Sequence, residues 1–138
     1  MTALLATAAA TLFMTGVSWF VQVVHYPLMG SVGAEAFQRY HDAHSRLTTR
    51  VVVVPMTVEL AGSAFLVVQR PASVGAGLAW ASLALALATW ISTAAVQVPR
   101  HRSLEPDGVS ALVAGDRLRT LAWTAHSGVV LAMLAQAT

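Results

Sequence analysis

Long apolar runs separated by short polar breaks dominate this chain, on a scale set by helices rather than strands. A helix needs about 20 apolar residues to cross the roughly 30 Å hydrocarbon layer of a bilayer. Four stretches reach that length, at about residues 2–26, 51–69, 72–98 and 120–138. They predict an all-α, four-transmembrane-helix bundle built as one integral membrane domain over residues 1–138. The first stretch has no basic leader and stays apolar through Phe20 to Val24, which favours a retained crossing over a cleaved signal peptide.

The breaks between the runs carry structure of their own. Pro27 and Gly30 interrupt the end of the first crossing, and Ala34 to Thr49 then contains neither Gly nor Pro. Within it Phe37, His41, His44 and Thr48 fall at helical spacing on one face, with Tyr40 beside them. That predicts a short interfacial helix in the first loop, separate from the crossing that follows. Gln69 to Ser73 reads as a hairpin, and Pro55 as a kink four residues before Glu59. The third connection, Pro99 to Asp116, should be irregular around Pro106 and Gly108.

Charge orients the bundle. Arginines near helix ends favour the cytoplasmic side. Arg39, Arg46 and Arg50 flank the first loop and Arg100, Arg102, Arg117 and Arg119 the third, whereas the opposite side has only Arg70. Both termini are therefore expected outside, in a cytoplasmic membrane. The basic balance, with no lysine at all, belongs to this topology and to anionic headgroups, not to nucleic acid. The chain is 57% hydrophobic and 10% charged, too apolar for a water-soluble domain of this size. It has no cysteine, which removes disulfides and thiolate chemistry and leaves histidines, carboxylates and hydroxyls.

Glu59 is the one charge in the nineteen residues between Arg50 and Arg70. An intramembrane carboxylate is costly and by default marks a working site. Partners for it fall at helical spacing on the other crossings: Ser18, Gln22 and His25 on the first, Thr89, Thr93 and Gln97 on the third, Arg119, Trp123 and His126 on the fourth. Glu59 lies roughly 13 Å beyond Arg50 and His126 roughly 10 Å beyond Arg119 at 1.5 Å per residue. The expectation is one cavity in the cytoplasmic half, with few polar side chains in the outer half.

Each of these residues also has a plainer role. Thr89 and Thr93 suit helix packing, His25 and His101 suit the headgroup interface, and the arginines suit lipid phosphates. Glu59 and His126 at such depth have one plain alternative, a buried pair, with each other or with Arg119, that fixes helix register.

The run Trp19 to Leu60, with Gln22, His25-Tyr26-Pro27, Val32-Gly33, Phe37, Tyr40-His41, His44, Pro55-Met56 and Glu59-Leu60, resembles a family of small bacterial four-helix membrane proteins without an assigned activity. Val98-Pro99-Arg100-His101 and Leu118 to Thr124 are similar to its later motifs, although His126 stands where the family pattern suggests arginine. In size and topology alone the chain is more distantly similar to anthrone oxygenase-like membrane proteins. That likeness implies oxidation of a lipophilic aromatic substrate.

Several chemistries suit these side chains. One is a single iron, copper or zinc ion held by His25, His41, His44 and His101 with Glu59, serving an oxidoreductase or oxygenase that acts on a lipophilic small molecule. Glu59 and His126 could instead act as a metal-free acid and base in an isomerase or cyclase, with Gln22, Tyr40, Arg119 and Trp123 orienting the substrate. Haem between facing histidines ranks below these. A small proton-coupled transporter using Glu59, and an accessory subunit gripping a lipid or partner helix, are the non-enzymatic alternatives. The bilayer and a hydrophobic small molecule are the expected partners, with a homo-oligomer left open.

Overall fold

The structure, a computed structural model, describes residues 1–97 and 109–138. Among the described residues it is helical, with no strand, and folds into four helices. Helix α1 spans Thr2–Met29, α2 Ala34–Val68, α3 Ala76–Ser92 with a closing π turn at Thr93–Gln97, and α4 Val109–Ala137. Three of them are long and apolar enough to cross a membrane, at Thr2–Met29, Ala34–Val68 and Ala76–Ala95. Helix α4 has the length, but Thr120, Thr124, His126, Ser127 and Gln136 dilute its apolar character. Of these, Thr120, His126 and Ser127 point into the protein.

The helices form a ring in which α1 packs on α2 and α4, and α3 on the same two. Sequential neighbours run antiparallel. Leu4, Leu66, Val74, Ala79 and Met133 make the core at one end, Met14, Met56 and Trp123 fill the middle, and Val21, Tyr26, Met29 and Phe37 make the core at the other. Among the described residues, Arg39, Arg46, Arg50, Arg117 and Arg119 gather at this last end, and Arg70 sits alone at the first. Helices α1 and α2 pack closely at Gly62, where an added Cβ would clash with the Thr7 hydroxyl. Glycine there lets the two backbones approach.

Two expectations about breaks do not hold. The separate interfacial helix does not exist: Ala34–Val68 is one continuous helix of 35 residues. Arg50 marks a change of polarity, but arginine is a good helix former, and nothing between Ala34 and Val54 stops propagation. At 1.5 Å per residue α2 is about 52 Å long, well beyond a hydrocarbon layer, and its first turns pack through Phe37 on the Tyr26–Met29 end of α1. Pro27 likewise fails to end α1. A π turn at Val21–His25 widens the helix just before it, and Tyr26–Met29 closes a further turn. The first connection shrinks to residues 30–33, where Gly33 accepts from the Ala36 and Phe37 amides to start α2.

Candidate functional site

Five side chains in the middle of the ring make one hydrogen-bonded chain. The Trp123 indole donates from Nε1 to Glu59 Oε2 at 3.0 Å. The other carboxylate oxygen, Oε1, meets His126 Nδ1 at 2.7 Å. His126 Nε2 lies 2.7 Å from Ser82 Oγ, and Ser82 Oγ lies 2.9 Å from Ser63 Oγ. Glu59 and Ser63 are four apart on α2, Trp123 and His126 three apart on α4, and Ser82 faces both from α3. None is more than 1% exposed.

Burial at this depth explains why the chain is complete. An ion or polar group removed from water costs several kcal/mol unless every lone pair and proton is matched. Both Glu59 oxygens and both His126 nitrogens are matched. The serines add a further property, because a hydroxyl can both donate and accept. With His126 neutral and its Nδ1 proton toward Glu59, Ser82 donates to Nε2 and accepts from Ser63. With His126 charged, Nε2 donates to Ser82, which turns to donate to Ser63. One proton can therefore come or go at the imidazole without stranding either of its nitrogens.

A cavity of about 480 Å³ opens at the arginine-rich end of the ring. Its walls combine apolar Met14, Val17 and Met56 with polar His41, Thr93 and Arg119, and Trp123 lines it as well. The same indole that grips Glu59 thus separates the cavity from the buried pair. Arg119 is held over the Trp123 ring, 5.3 Å from its centroid. It donates from Nε to Asp116 Oδ1 at 2.7 Å, and its Nη2 pairs with the same oxygen. Asp116 lies before the expected crossing; burial raises its pKa above the ordinary carboxylate value, while the Arg119 guanidinium pulls it down.

The remaining expected residues lie in and around the cavity mouth. Gln22 donates to the Val113 carbonyl at 3.1 Å, joining α1 to α4. The π turn swings His25 off the Ser18–Gln22 face, so that its ring stacks on His44 at 4.2 Å and near Tyr40 at 6.0 Å. His44 also bonds Thr48 at 3.1 Å, and His41 stacks on Phe37 at 6.1 Å. His101 lies outside the described residues. The threonines Thr89 and Thr93 bond back to carbonyls of their own helix, as packing residues do.

Among the described residues, Glu59 does not lie with the histidines of the metal set that the sequence suggests. Glu59 follows His44 by fifteen residues on a continuous helix, about 22 Å along its axis. The expected cluster went with a short interfacial helix laid against the mouth, in place of which α2 runs on without a break. Among the described residues no three His, Asp or Glu side chains are grouped to hold a metal ion. The half toward Arg70, expected to hold few polar side chains, also differs. Thr7, Thr11, Ser63, Ser82 and Ser127 are all buried, so polar atoms continue past Glu59 toward the Arg70 end.

Sequence reasoning passed over Ser63 and Ser82. Ser63 carried a usable clue, one helical turn from Glu59 on the same face; nothing in the sequence distinguished Ser82 from other small residues of α3. Compared with family models, curated proteins and solved structures, the chain matches none.

Proposed function

We propose that this is a small proton-coupled membrane protein of the transporter type, which takes an amphipathic small molecule into its cytoplasm-facing cavity and couples occupancy to the protonation of the Glu59–His126 pair. The observation that carries the reading is the position of Trp123, one residue that both lines the cavity and bonds the Glu59 carboxylate. A ligand pressing on the indole changes what Glu59 can hold, and linkage makes the effect reciprocal. The Ser82–Ser63 pair supplies hydroxyls on the far side of His126, toward the other face.

Acid–base catalysis on a bound substrate ranks below this, because it requires a reacting atom within hydrogen-bond reach of the acid or base. Trp123 stands between the cavity and Glu59. A metal-dependent oxidoreductase would have to draw its ligands from the histidines at the mouth, without Glu59. The uneven arginine distribution supports four crossings of a bacterial cytoplasmic membrane with both termini outside.

The test uses the full chain in liposomes held in weak buffer with a pH-indicator dye. Anilinonaphthalene sulfonate serves as an amphipathic probe of the cavity. Its binding should release or take up protons in the wild type and leave the dye silent in Glu59→Gln. An identical proton signal in both proteins would overturn the coupling.

A further inference from the structure

A second depression lies on the outside of the bundle, between α1 and α2. It is a groove of about 600 Å³ walled by Leu12, Phe13, Phe20, Leu47 and Val51, with Gly16 on its floor. Four residues, Val17, Val21, His44 and Thr48, line both this groove and the cavity. The two spaces therefore share a wall, with the stacked imidazoles of His25 and His44 beside it. Phe13, Phe20, Leu47 and Val51 are each about half exposed, as groups facing lipid would be.

The polar atoms near this wall have a definite character. His25 Nε2 and Ser45 Oγ are buried without a hydrogen-bond partner among the described residues, the first on the groove and the second on the cavity. Arg119 brings a guanidinium to the same cavity, only part of whose N–H groups are taken by Asp116, while Asp42, a carboxylate on its wall, is largely turned to solvent. The Ser45 hydroxyl and this guanidinium suit an acceptor in the ligand.

We infer that the groove and cavity together bind one single-chain carboxylic amphiphile from the inner leaflet, a long-chain fatty acid, with its hydrocarbon chain along α1 and α2 and its carboxyl group past the His25–His44 stack. This deepens the proposed function and rests on it, since a carboxyl group that gains or loses a proton is a natural counterpart to a proton-sharing pair. The groove is mostly apolar, which suits a hydrocarbon chain, and the cavity beyond the shared wall carries polar groups that suit a carboxyl head. Gly16 supplies the means of testing it. A Cβ there meets nothing within 4 Å, so a large side chain would enter the groove instead of the helix packing.

The experiment titrates the full chain in nanodiscs with a pyrene-labelled long-chain fatty acid, its methyl ester and a short-chain acid. The long-chain acid should bind saturably and the other two roughly tenfold more weakly. Gly16→Trp should weaken the long-chain acid by a similar factor while helicity and melting temperature stay unchanged. Equal binding of the ester overturns the carboxyl assignment, and an unchanged affinity in Gly16→Trp overturns the groove. If that variant fails to fold, a fatty acid with a diazirine at its chain end is cross-linked to the wild type. Label on residues 12–20 or 47–51 supports the site; label elsewhere defeats it. Fatty-acid binding with no proton signal would defeat the coupling alone, and a proton signal from the sulfonate probe with no Gly16→Trp effect would defeat the groove alone.

Discussion

Glu59 on α2 and His126 on α4 meet at 2.7 Å, Oε1 to Nδ1, with both side chains fully buried. The contact joins diagonal helices of the ring through its centre. Glu59→Ala should therefore leave a buried imidazole and a buried indole donor without their acceptor, destabilising the fold by roughly 3–5 kcal/mol. Glu59→Gln keeps the shape and an acceptor oxygen and should cost much less. Thermal unfolding of both variants in one detergent checks the order, and equal losses would refute the pairing.

Much of this centre is legible in the sequence, and the reasons are physical. Glu59 stands out because a carboxylate in an apolar run has no inexpensive alternative. Trp123 and His126 stand out because their spacing with Arg119 sets one face of a helix toward the interior. Their meeting is not legible, since it depends on how α2 and α4 are rotated about their axes. Ser82 is invisible for a different reason: serine is equally at home as a small packing residue between helices. The distance of the mouth histidines from Glu59 is not legible because Arg50 looks like a boundary, whereas the backbone continues through it and carries His41 and His44 away from Glu59.

The approach of α1 to α2 gives a prediction independent of function. Gly62→Ala forces its new methyl group into the Thr7 hydroxyl, which itself donates to the Ala3 carbonyl at 2.8 Å. Overpacking of this kind costs about 1–3 kcal/mol. Thr7→Ala removes the obstructing oxygen, so the double variant should melt above Gly62→Ala alone, a non-additivity expected of touching sites. Simple additivity in a thermal-melt cycle would mean the helices do not pack at this point.

Topology can be read directly because the chain has no cysteine of its own. Ser73→Cys lies in the exposed turn between α2 and α3, and Ser31→Cys in the exposed turn between α1 and α2, at opposite ends of the ring. A membrane-impermeant maleimide added to intact cells should label the first and spare the second. The reverse pattern would invert the orientation and place the cavity on the outer side.

The α3 start offers a smaller test of the same ring. Gln136, near the end of α4, accepts from the Gly75 amide at 2.9 Å and so satisfies a donor that α3 leaves open. Gln136→Ala should lower stability by about 1 kcal/mol, and amide exchange should speed up selectively in residues 75–78. Protection unchanged there would remove this contact from the account of how α3 is anchored.

Ser82 decides whether the buried chain can change its protonation. Removing its hydroxyl in Ser82→Ala strands His126 Nε2 and breaks the link to Ser63 in one step, at a cost of roughly 1–3 kcal/mol for the unsatisfied nitrogen. A charged imidazole suffers more than a neutral one, because an N–H on a full charge loses its acceptor where no water reaches. Ser82→Ala should thus suppress proton exchange on ligand binding, even in a protein that stays folded. Ser82→Thr keeps a hydroxyl at the same carbon and should restore the exchange in part, whereas Ser63→Ala should reduce it less than Ser82→Ala does. The pH-indicator assay ranks the three variants against wild type. A full-size proton signal in folded Ser82→Ala would show that His126 gains and loses its proton without the serine pair, leaving the pair as a packing contact between α2 and α3.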